Sequence, residues 1–161
     1  MTSPSMQAVM DSTVAALDDI AATTLGMENG SIPLEASLGF EPANGIGAHV
    51  ALVVEGIALQ VALITDQDGL VQLTSAMLGL TPGVDSLTPA EQKDALGELS
   101  NMLAGGVKAR INKFYPGMRL GLPMVIRGTV RPTGSARCLD TLRRLGSITV
   151  RLLLIFDEKR T

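Results

Sequence analysis

The chain has no tryptophan, one tyrosine and three phenylalanines in 161 residues. A core built from it must be aliphatic, with methionine as filler. It also lacks the aromatic platforms on which single-stranded nucleic acids stack. One cysteine, Cys138, excludes an internal disulfide and points to a reducing compartment. One histidine, His49, lies in a strand-like run with no Ser or Cys partner nearby, which predicts a half-buried structural residue. No stretch is apolar for the ~20 residues a membrane span needs. The nearest candidate, residues 45–64, is interrupted by His49, Glu55, Gly56 and Gln60 and reads better as a β-hairpin. The first residues, MTSPSMQAVMDST, lack the basic-then-apolar layout of a signal peptide. A cytoplasmic protein with no membrane and no nucleic acid among its partners is the expectation. Phosphate-binding loops, dinucleotide fingerprints and metal-ligand spacings are absent.

What is present is 46% hydrophobic and 18% charged, the composition of an ordered domain. The length suits one domain over residues 1–161, with 1–5 frayed. Positive charge is scarce in the first part. Residues 1–100 hold thirteen acids and one Lys, Lys93 (−12); residues 101–161 hold three acids and twelve Lys or Arg (+9), which together make the net −3. Either the two parts fold together and neutralise each other, or the second presents a basic face to nucleic acid.

Helical spacing of Val9, Val14, Leu17, Ile20 and Leu25 predicts a first helix over 6–27, ending at Gly26. A short strand is expected around 34–41. IGAHVALVV and IALQVALIT read as strands joined by a tight turn at Glu55-Gly56. The DQDG at 66–69 has part of a calcium loop but neither the third ligand nor the following Glu, so it reads as a turn. LVQLTSAMLGL is a short helix. A long helix follows, with Thr88 as N-cap, Pro89 in the first position and Glu91 closing a capping box; it should run to about 113. Residues 121–130 read as a strand. ARCLDTLRR and SITVRLLLIF form a last hairpin around Leu145-Gly146, although the first of these could be helical. No internal repeat is visible. The order of elements predicts one α+β domain.

At 100° per residue, Leu96, Leu99, Leu103, Val107, Ile111 and Phe114 form the core stripe of the long helix. Asp94, Glu98, Asn101, Gly105, Lys108 and Asn112 fall nearly opposite. Such a polar stripe is often only a solvated face. Here it contains an asparagine, a mediocre helix former, and a glycine, which costs a helix interior about 1 kcal/mol relative to alanine. Core packing calls for neither. Gly106 lies nearer the core boundary and suits helix packing. A bare backbone beside an amide and a carboxylate suits close approach by another molecule. Glu98 and Asn101 make no nucleophile and are too few to hold a metal. A carboxamide can aim a water molecule, as glutamine does in GTPases. That is half an active site, and the partner must bring the phosphoryl group and its metal. Ser100 reads as helix surface, without a base to make it a nucleophile, and Cys138 as an ordinary thiol.

GELSNMLAGG (97–106), with AMLGL before it and LGLPMVIRG and SITVRLLLIF after it, resembles the CheC/CheX class of chemotaxis phosphatases, most closely CheX. The resemblance spans roughly residues 7–157. It implies an α+β fold with a mostly antiparallel sheet and the Glu-x-x-Asn helix packed on one face. It implies hydrolysis of the aspartyl phosphate of a phosphorylated CheY-type response regulator. Asn101 would position the attacking water and Glu98 would pair with the regulator's active-site Lys. Asp94, Gly105 and Lys108 are the expected partner contacts. No cofactor of its own is implied, because the Mg²⁺ belongs to the regulator. CheC proteins carry two such motifs and CheX one; the first helix here has none. A homodimer joined through the sheet is also implied, with the apolar C-terminal strand available for it. A non-catalytic adaptor or a relative of the flagellar switch is the alternative.

Overall fold

In the computed structural model, residues 3–35, 45–81, 83–128, 130, 134 and 136–158 are described. Helix α1 (Met6–Thr23) begins at Ser5, whose side chain accepts from the Ala8 N–H, so Ser5 caps the helix and is no frayed end. The helix stops three residues before the expected Gly26, which takes a left-handed φ of 67° just beyond it. Strand β1 (Ile32–Leu34) is short. The rest of the strand expected at 34–41 lies outside the described residues, apart from Glu35, which is not in a strand. β2 (Ile46–Val54) and β3 (Ile57–Thr65) pair in full register about Glu55-Gly56, with φ 75° at Gly56.

The DQDG segment is not a free turn. Asp66 is the N-cap of α2 (Gln67–Met77), its carboxylate accepting from the Gly69 N–H at 2.7 Å. An Asx side chain that bonds ahead in sequence starts a helix as readily as it closes a turn. Helix α3 (Pro89–Ile111) has the expected capping box: Thr88 Oγ1 accepts from Glu91 N at 3.2 Å, and Glu91 Oε2 accepts from Thr88 N at 2.7 Å. Of the strand expected over 121–130 only β5 (Met124–Arg127) forms, and a two-residue β4 (Arg119–Leu120) precedes it across Gly-Leu-Pro. β6 (Arg137–Leu145) is a strand and not a helix, and β7 (Ile148–Glu158) completes the hairpin.

All strands join one antiparallel sheet in the order β1-β6-β7-β3-β2-β4, with β5 also on β2. The two hairpins are equivalent. Each has nine paired positions per strand about a two-residue turn, displaced by 91 positions (Ile46 to Arg137, Ile57 to Ile148). A helix and a short strand precede each hairpin, and the short strand crosses to the other one: β1 lies on β6, while β4 and β5 lie on β2. The fold is therefore an internal duplication, which sequence reading did not detect. Only Ile57/Ile148, Leu63/Leu154 and Ile64/Ile155 are identical between the paired hairpins. Apolar patterning survives where identity does not.

One sheet face, with Ile46, Ala48, Leu52, Leu59, Val61, Leu63, Val150, Leu152 and Leu154, packs against the helices in the main core. Ala62, Ile64 and Leu153 are buried on the other face beneath Val130. β7 is held between β3 and β6, so both its faces and both its edges are used. That explains its unbroken Leu-Leu-Leu-Ile-Phe run, and it removes β7 as an edge through which two chains could join. Across the charge divide, Arg110 pairs with Asp19, and Arg143 reaches Ser31, whose hydroxyl also bonds Asp18 at 2.6 Å. The acidic and basic parts do fold against each other.

Candidate functional site

Helix α3 lies over β2 and between two flanks. The stripe of Leu96, Leu99, Leu103, Val107 and Ile111 is buried, as the spacing predicts. Phe114 falls beyond the helix and is half-buried, with the Lys113 ammonium 4.8 Å from its ring centre. On the opposite side, Asp94 and Glu98 are exposed, and Asn101, Gly105 and Lys108 are half-buried. The five predicted residues therefore share one helical surface. Glu98 and Asn101 are neighbours at i and i+3, with Cβ atoms about 5–6 Å apart.

The two glycines differ as their positions suggest. A Cβ on Gly105 would meet nothing within 4 Å, whereas one on Gly106 would lie 2.9 Å from Ala16 Cβ on α1. Gly106 lets the helices touch; Gly105 leaves a bare patch beside Asn101. Arg110 fastens the same flank, bonding the Gly106 carbonyl at 3.1 Å as well as Asp19.

Ser100 faces inward, contrary to the surface position its sequence neighbours suggest. It is 2% exposed, not at the surface, and its Oγ has no hydrogen-bond partner among the described residues. At 100° per residue it falls on the core side of Asn101, which adjacency in sequence hides. His49 is half-buried in β2, with Nδ1 2.8 Å from Gln60 Oε1 on β3, a structural pair on the sheet face away from α3. Cys138 is exposed on β6. Loss of hydration pushes its thiol pKa up, Asp140 adds to this, and Arg151 opposes it.

The second flank of α3 is not legible in the sequence. Gly97 faces the β4–β5 connector, where a Cβ would meet Pro123 at 3.6 Å. The Gly121 N–H donates to the Ala51 carbonyl at 2.7 Å and pins the connector to β2. The signal was the Gly-Leu-Pro that breaks the strand pattern.

The duplication supplies an internal comparison. The buried series Val9, Thr13, Ala16, Leu17 and Ile20 of α1 matches Leu96, Ser100, Leu103, Ala104 and Val107 of α3 at a shift of 87 (Val9 to Leu96). That shift places Asp11 and Val14 opposite Glu98 and Asn101. α1 has a carboxylate there but no carboxamide, so the acid–amide pair belongs to α3 alone.

A cleft of about 460 Å³ sits at the β2–β3 turn, lined among others by Glu55, Ile57, Arg119 and Asp157, and contains neither Glu98 nor Asn101. The Glu98–Asn101 surface is convex helix. That shape suits a macromolecular substrate better than a small one. Among the described residues no cluster of three or more His, Cys, Asp or Glu is placed to hold a metal. No helix among them is long and apolar enough to cross a membrane.

A family profile described as "Chemotaxis phosphatase CheX" matches residues 49–137. Among solved structures, the chemotaxis protein CheX from Vibrio vulnificus superposes with a TM-score of 0.72 at 16% identity, covering 92% of this chain and 96% of that one. CheX in a CheX–CheY–BeF3–Mg²⁺ complex from Borrelia burgdorferi gives 0.70 at 16% identity, covering 98% and 100%. The FliM middle domain from Vibrio alginolyticus gives 0.59 at 9% identity, covering 94% and 92%. A search of curated protein sequences finds no match.

Proposed function

The chain belongs to the CheX family of chemotaxis phosphatases, and from that premise we propose that it hydrolyses the aspartyl phosphate of a CheY-type response regulator. The observation that carries this reading is the shared surface of Glu98, Asn101 and Gly105, open above Gly105 and backed by a buried stripe. A CheX–CheY complex among the structural neighbours supports the choice of partner.

The chemistry divides between two proteins. α3 enters the regulator's active site with Asn101 foremost. The amide accepts from and donates to one water, holding it in line with the phosphorus–oxygen bond to the aspartate. Water attacks phosphorus, the aspartyl carboxylate leaves, and inorganic phosphate forms. Glu98 pairs with the regulator's active-site Lys and fixes the approach angle, the positioning that phosphoryl transfer depends on. The regulator's own Mg²⁺ neutralises the phosphoryl oxygens. Asp94 and Lys108 flank the contact, and Gly105 lets the partner's backbone come close. Such a protein works in the cytoplasm with its regulator. A homodimer joined through the sheet belongs to the same reading. Because β7 is interior and β5 flanks the Glu98–Asn101 helix, it would use the opposite outer edge, β1 with β6.

The test is phosphate release from a phosphorylated CheY-type regulator by the wild type and Asn101→Ala. The expected result is acceleration by the wild type and its loss in the variant; equal rates would refute the role of Asn101. The fold shared with the FliM middle domain gives the alternative its footing. An adaptor would bind the regulator and release no phosphate.

A further inference from the structure

We propose that the β4–β5 connector is the apolar half of the regulator-docking surface, with Leu122 as its anchor. The inference rests on the proposed function and adds the residues that hold the partner. Leu122 is 85% exposed, the most exposed large hydrophobic among the described residues, and Leu120 and Val125 beside it are 37% and 40% exposed. The register puts Leu120 opposite Leu52 and Val125 opposite Ala48, both of which belong to the core beneath the helices. Leu120 and Val125 therefore stand on the helix side of the sheet, along the flank of α3. Pro123 lies against Gly97, within van der Waals reach of where a Cβ would be, one residue before Glu98.

Footprint size selects the occupant. An ordinary protein–protein interface buries about 800 Å² on each partner, a disc of roughly 16 Å radius. A regulator whose phosphorylated side chain reaches Asn101 covers that disc. The connector runs beside α3 at Gly97, where an added Cβ would come within 3.6 Å of Pro123, so it lies inside that disc. The polar α3 surface then supplies chemistry, and the uncharged Leu-Pro step supplies an apolar anchor. Interfaces concentrate their energy in such a desolvated element beside a polar region. The Gly121–Ala51 bond holds the connector in place before any partner arrives, and the missing side chain of Gly97 leaves room for Pro123 beside α3.

The experiment titrates a beryllofluoride-activated CheY-type regulator against the wild type, Leu122→Asp and Ile32→Asp. Ile32 is 47% exposed on β1, at the opposite edge of the sheet. Each protein's oligomeric state is followed by sedimentation. Leu122→Asp is expected to weaken binding at least about tenfold without altering sedimentation, while Ile32→Asp leaves regulator binding unchanged. Wild-type affinity in Leu122→Asp overturns the proposal. So does dissociation of an oligomer by Leu122→Asp, which would make the connector a contact between copies of this chain. Regulator binding by the wild type, with no acceleration of phosphate release from the phosphorylated regulator in the parallel assay, overturns the catalytic reading and leaves the docking surface standing. No binding by the wild type overturns both.

Discussion

Gly106 of α3 and Ala16 of α1 meet so closely that a Cβ on the glycine would lie 2.9 Å from the alanine methyl. One residue earlier, a Cβ on Gly105 would touch nothing within 4 Å. Adjacent glycines on one helix thus have opposite reasons to exist, and opposite responses to alanine. Gly105→Ala should raise stability by about 1 kcal/mol, the helix-propensity gain. Gly106→Ala should lower it by about 1–3 kcal/mol, because overpacking against α1 outweighs that gain. Thermal unfolding of the two variants checks both signs.

Gly105→Leu separates folding from function. The open space above Gly105 predicts a folded protein with wild-type circular dichroism. A side chain beside Asn101 would hold the regulator off, so phosphate release should fall by about tenfold or more. An unaffected rate would mean that the bare backbone is not used.

Glu98→Gln tests the ion pair without changing shape. Loss of one interfacial charge pair should raise KM for the phosphorylated regulator about 5- to 30-fold, roughly 1–2 kcal/mol, and should flatten its salt dependence. Steady-state kinetics at two ionic strengths measure this. A KM that keeps its wild-type salt dependence removes the assigned role.

The capping box makes stability depend on pH. The Thr88 N–H and hydroxyl hold the Glu91 carboxyl below its ordinary value of 4.5. A carboxyl whose pKa is lowered by folding stabilises the folded state above the unfolded value and loses that contribution as pH falls through the folded one. Wild type should therefore be more stable than Glu91→Gln at pH 7, and the gap should shrink below about pH 4.5. Melting temperatures across that range give the comparison.

Cys138 should be a slow thiol despite its exposure. Burial of part of the side chain and the Asp140 carboxylate keep it protonated above the ordinary value of 9.0. Alkylation at pH 8 should lag behind an unstructured cysteine, Asp140→Asn should speed it, and Arg151→Ala should slow it. Rates of iodoacetamide labelling decide the order.

Local chemistry made part of the molecule legible from its residues. The capping box of α3, its buried stripe, the Glu55-Gly56 hairpin and the shared face of Glu98, Asn101 and Gly105 all follow from interactions within a few positions of chain. A local signal misleads where it serves another end. Asp66 bonds forward to Gly69 and starts α2 when a turn was expected. Ser100, next to an exposed-side residue, turns inward.

The rest needed distance. The Leu-rich run of β7 looks the same in an edge strand or a central one; only pairing with both β3 and β6 put it in the middle. The duplication is held by equivalent burial and not by identical residues, so it appears only when the two hairpins lie side by side. The connector, residues 121–123, is 20–22 residues beyond Asn101 in sequence, yet its Pro123 lies over Gly97. Periodicity determined which face of α3 is free, because a helix repeats every 3.6 residues. Tertiary structure alone decided what stands beside that face, because strand crossing between the two halves is a non-local choice that no short window of sequence encodes.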